Sequence, residues 1–408
     1  MGVIRFIFDG VREMLRGPRE YWAWLLFLSV VVVFGSWQYW VQFSNGLVVT
    51  GMSDQVSWGF YIANFAFLVG IAAAAVLLVI PAYIFHRKDI KDVVLVGEGM
   101  AVAAVTMAIL FVIVDLGRPD RLWHMIPVIG SLNFPISLLA WDVLVLSGYL
   151  VLNLAIPFYL LYSRYRGREA NFRIYFPIVV ISMFWAISIH TVTAFLFSAN
   201  PARPFWHTAL LGPRFIASAF ASGPALIIIT LEIVRKVSTY KVSQSVISTL
   251  ALIMTVALQI NLFFVGAELF TDFYNEGAHA ASIHYLFLGL GGFDSLQPWI
   301  WFALTLNIIA VIILMIHPLR KNVLTLNIAC VLAFIGIWIE KGMGLVIPGF
   351  VPTPLGEIFE YVPTSVELSV SAGIWAFGVL MFTVLAKAVI AIEQGRLRYR
   401  DKKSEISQ

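Results

Sequence analysis

Ten consecutive residues, Asp115-Leu116-Gly117-Arg118-Pro119-Asp120-Arg121-Leu122-Trp123-His124, bring together two acids, two guanidinium groups, an indole and an imidazole. That combination can hold a polar headgroup and exchange protons with it. It is equally the composition of a helix closed by Gly-x-Pro, with an interfacial Trp and a structural Asp-Arg pair. A shorter version follows at Arg203-Pro204-Phe205-Trp206-His207 and Gly212-Pro213-Arg214, which can also be read as part of an aromatic belt. Around these segments lie ionisable residues inside long apolar runs: Glu98, Asp115, Asp142, His190 and Glu268. An ionisable group in a bilayer costs several kcal/mol unless paired or hydrated, so each is a functional candidate. For His190 the alternative is a satisfied core imidazole. For Glu98 and Asp142 it is a bond to a neighbouring helix's backbone or hydroxyl. Glu232 has Arg235 and Lys236 within four residues, the spacing of an ordinary helix-surface pair. Glu340 and Lys341 are expected to pair with each other, stabilising the turn into Gly342-Met343-Gly344.

The elements that must position these groups are membrane spans. Of the 408 residues 60% are hydrophobic and only 12% charged, where soluble domains carry roughly 25% charged residues. Apolar runs bounded by charge or Pro/Gly predict ten helices near 21–43, 57–85, 93–116, 134–162, 172–199, 213–236, 245–274, 297–317, 322–346 and 366–392. Several exceed the roughly 20 residues needed to cross a bilayer. No period-2 alternation supports a barrel, so the fold class is an all-α integral membrane protein. The apolar run after residue 20 is too long for a signal-peptide core and reads as a retained first helix.

Lys and Arg cluster at residues 1–20, 87–91, 164–173, 235–241, 320–321 and 387–403; the other five, Arg118, Arg121, Arg203, Arg214 and Lys341, fall on the opposite side. The positive-inside rule then places both termini in the cytoplasm. The expected organisation is a cytoplasmic segment 1–20, one transmembrane domain 21–392 and a cytoplasmic tail 393–408. Within the domain, Tyr61-Ile62-Ala63-Asn64 with Gly70 echoes Phe215-Ile216-Ala217-Ser218 with Gly223, and Phe111-Val112-x-x-Asp115-Leu116 matches Phe264-Val265-x-x-Glu268-Leu269. Residues 57–199 and 213–346 are therefore either two parallel four-helix units or a chance match of apolar sequence.

Composition also excludes classes. A net charge of +4 with no Lys/Arg stripe among exposed aromatics removes nucleic acid as a partner. The sole cysteine, Cys330, rules out a disulfide or an iron-sulfur cluster in this chain. Of seven His only His190 is intramembrane; His86 and His317 lie at the inner surface and His124, His207, His279 and His284 at the outer one. A haem held by facing His residues is not expected, nor is a metal site.

Trp58-Gly-x-Tyr61-x-x-Asn64, Asp115-Leu-Gly-Arg-Pro119, Glu340-Lys-Gly-Met-Gly344 and Ile347-Pro-Gly-Phe350-x-Pro352 resemble the NrfD family, the membrane subunits of polysulfide reductase and related complexes. The resemblance spans nearly the whole chain. With Ser188-Ile-His190-Thr-Val-Thr-Ala194, it is most similar to the DsrP (HmeB) branch of the DsrMKJOP (Hme) complexes of sulfur-metabolising prokaryotes. It implies two four-helix bundles plus two additional helices, in the cytoplasmic membrane. It further implies an exchangeable menaquinone near the outer face, and electron exchange with an extracytoplasmic, ferredoxin-like iron-sulfur subunit linked to a multihaem cytochrome c and other redox subunits. By the same resemblance Asp115 takes the place of the motif acid linked to proton handling. His124 stands where relatives put a quinone-bonding side chain that can be Tyr, a departure in residue type. Asp115, His190 and Glu268 are then the expected proton-handling residues, and Tyr61, Asn64, Arg118, Trp123 and His124 the expected quinone-binding ones. Tyr61 and Asn64, three apart on a helix, share a face and are expected to line one pocket. Two other classes remain, a secondary transporter and a passive anchor for redox subunits. Transporters favour broken helices at matching positions of both repeats, and Gly223-Pro224 is the one strong break expected here.

Overall fold

The computed structural model describes residues 2–399 apart from Pro127, Glu276 and Ala278; the remainder of the expected C-terminal tail lies outside the described residues. Among the described residues ten helices are long and apolar enough to span a membrane: α1 (Arg19–Asn45), α2 (Phe60–Ile84), α3 (Val94–Asp115), α4 (Leu138–Tyr165), α5 (Phe172–Ser198), α6 (Leu211–Val237), α7 (Gln244–Asn275), α8 (Gln297–Met315), α9 (Val323–Phe350) and α10 (Ser365–Glu393). Helices are the form these runs must take, because the hydrocarbon layer offers no partner for a free N–H or C=O. The ends are marked by local chemistry. Ser137, Asn171 and Asn322 cap α4, α5 and α9 through their side-chain oxygens, and Thr364 with Glu367 forms a capping box on α10.

Two closed rings of four helices result. α2 packs on α3, α3 on α4, α4 on α5, and α5 returns to α2; α6 packs on α7, α7 on α8, α8 on α9, and α9 returns to α6. The rings meet mainly where α2 and α5 lie against α6. α2 is therefore the innermost span, with every residue from Tyr61 to Ala73 buried. α1 and α10 stand outside both rings, paired with each other, and α10 leans on α3. Their close approach runs through glycine: a Cβ on Gly35 would lie 2.6 Å from Gly373 Cα and 2.9 Å from Ser369 O.

The expected break falls elsewhere. α6 continues through Gly223-Pro224, whereas α2 is interrupted by a turn at Ala74–Ala75 and a π-turn at Ile80–Ile84. The two features touch, since a Cβ on Gly223 would collide with Ala74. Gly223 serves close packing of α6 against the turn of α2 rather than a break in its own helix.

Candidate functional site

At the face opposite the chain termini, the ends of α1, α2, α3 and α10 converge. Gln42 of α1 donates from Nε2 to Val114 O (2.7 Å), satisfying a carbonyl in the last turn of α3. Its Oε1 accepts from the Tyr61 hydroxyl at the start of α2 (2.6 Å). From α10, the wholly buried Glu367 accepts bonds from Gly51 N (2.8 Å), Thr364 N (2.9 Å) and the Tyr361 hydroxyl (2.5 Å), and Tyr361 in turn accepts from Phe60 N (2.8 Å). Burial and the Glu367 charge push the Tyr361 phenol far above its ordinary range, so it stays a donor. Asp115, the last residue of α3, lies within Coulombic range of both Glu367 and Tyr61. Its Oδ1 is screened from solvent and has no hydrogen-bond partner among the described residues. Glu367 is thus saturated, and Asp115 is the carboxyl of the group left to take up a new bond.

The segment after Asp115 leads outward. Arg118 holds Asp120 through two bonds (3.0 and 2.9 Å), and the Trp123 and His124 rings lie 3.8 Å apart; all four side chains are exposed. Tyr61 joins Asp115, but Asn64 does not line a shared pocket with it. Asn64 Oδ1 accepts from the indoles of Trp338 on α9 (3.0 Å) and Trp375 on α10 (2.9 Å), and its Nδ2 donates to Phe60 O (2.8 Å), so it ties three helices together.

A second polar group fills the other ring. Arg214, in the first turns of α6, pairs with Glu268 of α7 and with Glu340 of α9 (3.1 Å). Glu340 also accepts from Asn261 of α7 (3.1 and 3.2 Å) and Asn307 of α8 (2.8 Å). The expected Glu340–Lys341 pair is not formed. Adjacent residues on a helix point about 100° apart, and Glu340 turns into its ring while Lys341 turns towards α2. The Lys341 ammonium sits 4.1 Å over the Phe215 ring, contacts Phe215 O (3.4 Å) and comes within Coulombic range of His190. His190 is buried in the first ring, with Nδ1 3.1 Å from Ala186 O and Nε2 without a partner among the described residues. Asp142 accepts from the Thr193 hydroxyl (2.8 Å), the bland outcome foreseen for it, whereas Glu98 Oε2 is buried without a partner among the described residues. Glu232 pairs with Arg235 (2.7 Å), one turn away.

Two hollows open near the end of α7. One of about 340 Å³ is lined by His207, Glu268, Asp272 and His279; the other, about 590 Å³, is apolar and lined by Phe270, Phe273, Tyr274, Phe287 and Trp301. Among the described residues no group of three or more His, Cys, Asp or Glu is arranged to hold a metal ion. Sequence reasoning missed Gln42, Tyr361 and Glu367, because the only signal for Glu367 was its capping spacing after Thr364. It also missed Asn261 and Asn307, whose signal was simply an amide in mid-span.

Eight spans in two rings, enclosing buried polar groups, define a class of polytopic helical membrane protein. Residues 48–352 match the family described as "Polysulphide reductase, NrfD", and the chain belongs to that family. The match covers α2 to α9, the two rings, and excludes α1 and α10. Among its relatives is the Hdr-like menaquinol oxidoreductase integral membrane subunit of Archaeoglobus fulgidus, 26% identical over 92% of this chain and 94% of the relative. The integral membrane subunit of menaquinone reductase from Nitratidesulfovibrio vulgaris is 22% identical over 90% of each chain. A selenate reductase subunit of Mesobacillus selenatarsenatis is 22% identical over 89% of this chain and 92% of its own. The chain is a multi-pass integral membrane redox subunit whose relatives are parts of reductase and oxidoreductase complexes.

Proposed function

We propose that this chain binds menaquinone beside Asp115 and exchanges electrons between it and an extracytoplasmic iron-sulfur subunit of a larger complex, in sulfur or sulfite respiration in a prokaryotic cytoplasmic membrane. The observation that carries this reading is the unpartnered, solvent-screened Oδ1 of Asp115 amid satisfied polar neighbours. A buried acceptor left open costs roughly 1–3 kcal/mol, a cost that a bound headgroup bearing a proton would relieve. The donor set fits a quinone, since it offers a carboxyl, a phenol and an imidazole and no metal ligand cluster. When bound, the quinone supplies reversible two-electron, two-proton chemistry at its ring oxygens.

The chain's own part is protonic and positional. Asp115 holds a proton at Oδ1 and gives or takes it. Tyr61, fixed by Gln42, shapes the inner wall. Arg118, Trp123 and His124 form the mouth, where the His124 ring N–H is available to a carbonyl. His190 and Glu268 are further proton-holding groups, His190 through its open Nε2 and Glu268 through its edge on the polar hollow. Asn64 acts by positioning, holding α2 to α9 and α10.

The test is titration of the purified complex with a quinone analogue, alongside quinol turnover. Asp115→Asn is expected to assemble normally and lose about 100-fold or more in turnover, the scale of general acid-base catalysis. His124→Ala is expected to weaken analogue binding. Unchanged binding and turnover in both variants would overturn the proposal in favour of a passive anchor. Counterflow of a solute in vesicles without redox activity would point to a transporter.

A further inference from the structure

The described chain begins with a helix, Gly2–Met14, that spans nothing and packs only along one edge. Phe6 sits against the rings of Phe158 (5.4 Å), Tyr162 (5.5 Å) and Tyr165 (5.2 Å) at the end of α4, and with Tyr165 and Ile392 it forms a small separate core. Asp9 accepts the Tyr165 hydroxyl (2.5 Å), and the Tyr21 hydroxyl of α1 donates to Met14 O (2.7 Å). Every other apolar side chain up to Val11 is turned away from the protein: Ile4 and Phe8 are each 73% exposed, and Val3, Ile7 and Val11 are exposed as well.

At about 100° per residue, Val3, Ile4, Ile7, Phe8 and Val11 fall within one arc of roughly 140°. Arg5, Asp9, Arg12 and Glu13 fill the roughly opposite arc, and Phe6 with Gly10 occupies the edge between. An exposed apolar arc facing away from a charged one is the pattern of a helix lying in the plane of a membrane interface.

Three further facts favour lipid over a protein as its occupant. The Phe6 contact with Phe158 lies seven residues before the end of α4, about 10 Å inside that span at 1.5 Å per residue. Only residues 15–18 separate the helix from α1, so it is tethered at the height of the span ends. And α1 itself turns Leu26, Phe27, Val30, Val33, Phe34 and Trp37 outward, so the apolar arc continues a surface that must already face lipid.

We infer that the helix Gly2–Met14 is an in-plane anchor that buries Ile4, Ile7, Phe8 and Val11 in the leaflet on the termini-bearing side, with Arg12 directed to the headgroup phosphates. It clamps the end of α4 and the segment after α10, whose Tyr399 lies beneath the Arg5 and Arg166 guanidinium groups (5.1 and 4.5 Å) and donates its N–H to Tyr165 O (2.8 Å).

The experiment places a nitroxide on single cysteines in the full chain, reconstituted in nanodiscs of phosphatidylcholine and phosphatidylglycerol; Cys330 is buried and stays unlabelled. Labels introduced by Ile4→Cys, Phe8→Cys and Val11→Cys are expected to show oxygen-to-nickel-chelate accessibility ratios severalfold above those from Arg12→Cys and Glu13→Cys. These positions point away from the core, so the fold is retained. Equal ratios around the helix would overturn the inference. So would shielding of Phe8 that arises only after the rest of the complex is added, which would assign the arc to a protein partner.

Discussion

At the scale of single residues, what separates Asp115 from its neighbours is satisfaction rather than type. Glu367 is wholly buried in the same corner and each of its oxygens accepts a bond, whereas the partly exposed Asp115 keeps its screened Oδ1 without a partner among the described residues. The two acids should therefore fail differently. Glu367→Gln strips an accepting carboxylate from several donors and is expected to destabilise the protein by about 1–3 kcal/mol, seen as a lower unfolding temperature in detergent. Asp115→Asn is expected to leave that temperature nearly unchanged and remove turnover. Asn64, expected beforehand to touch a quinone, is instead committed to two indoles. Asn64→Ala leaves two partly buried indole N–H donors unpaired, at up to about 1–3 kcal/mol each. Its effect should appear as lost stability, with analogue affinity retained in whatever fraction folds.

At the scale of elements, α9 carries the most information. Its end presents Glu340 to Arg214, Asn261 and Asn307, turns Lys341 to the ring of Phe215, and accepts the Trp206 indole N–H at Leu345 O (2.8 Å). Gly349 then lies flat beneath Trp206, where a Cβ has no room. Removing one member of a buried ionic group costs about 3–5 kcal/mol, because its partners are stranded. Arg214→Met, which leaves Glu268 and Glu340 facing each other, is expected to lose at least that much by chemical or thermal unfolding in detergent. The pair of Arg87 and Asp89 in the turn after α2 behaves differently. The guanidinium hydrogen bonds hold the Asp89 carboxyl at about 2, so the charged pair is fully present above the ordinary carboxylate range and is lost only as pH falls through about 2. Mild acidification should leave this turn intact, as hydrogen exchange of residues 85–93 would show.

At the scale of the molecule, two four-helix rings share an interface built on α2, and a separate pair, α1 and α10, is attached to the first ring. The pair contributes Gln42 and Glu367 to the candidate site although the family match covers only the rings. A side chain at Gly35 would meet the α10 backbone, and overpacking of this kind typically costs about 1–3 kcal/mol. Gly35→Leu is expected to loosen the pair and lower quinol turnover at a distance by displacing Gln42. Limited proteolysis of the loop between α9 and α10, read against turnover, checks this.

What the chain determined alone is what apolar length and charge bias can specify. The ten spans agree with expectation to within a few residues, because a bilayer admits one spanning form for such runs and charge marks their ends. The segment from Asp115 to His124 was legible as a polar cluster because its members adjoin in sequence, whereas the corner itself joins Gln42, Tyr61, Asp115, Tyr361 and Glu367 from separate elements. Which polar group meets which was not legible. Inside apolar helices a carboxylate, an amide or an ammonium carries no local sign of its partner, and helix rotation and neighbour order settle the matter. So Glu340 joined Arg214 rather than Lys341, Asn64 joined two tryptophans rather than Tyr61, and Gln42 and Glu367 entered the site from helices that sequence placed at its margins. Tertiary structure decided these pairings because burial makes an unmet hydrogen bond costly, and only packed helices show which ones are met.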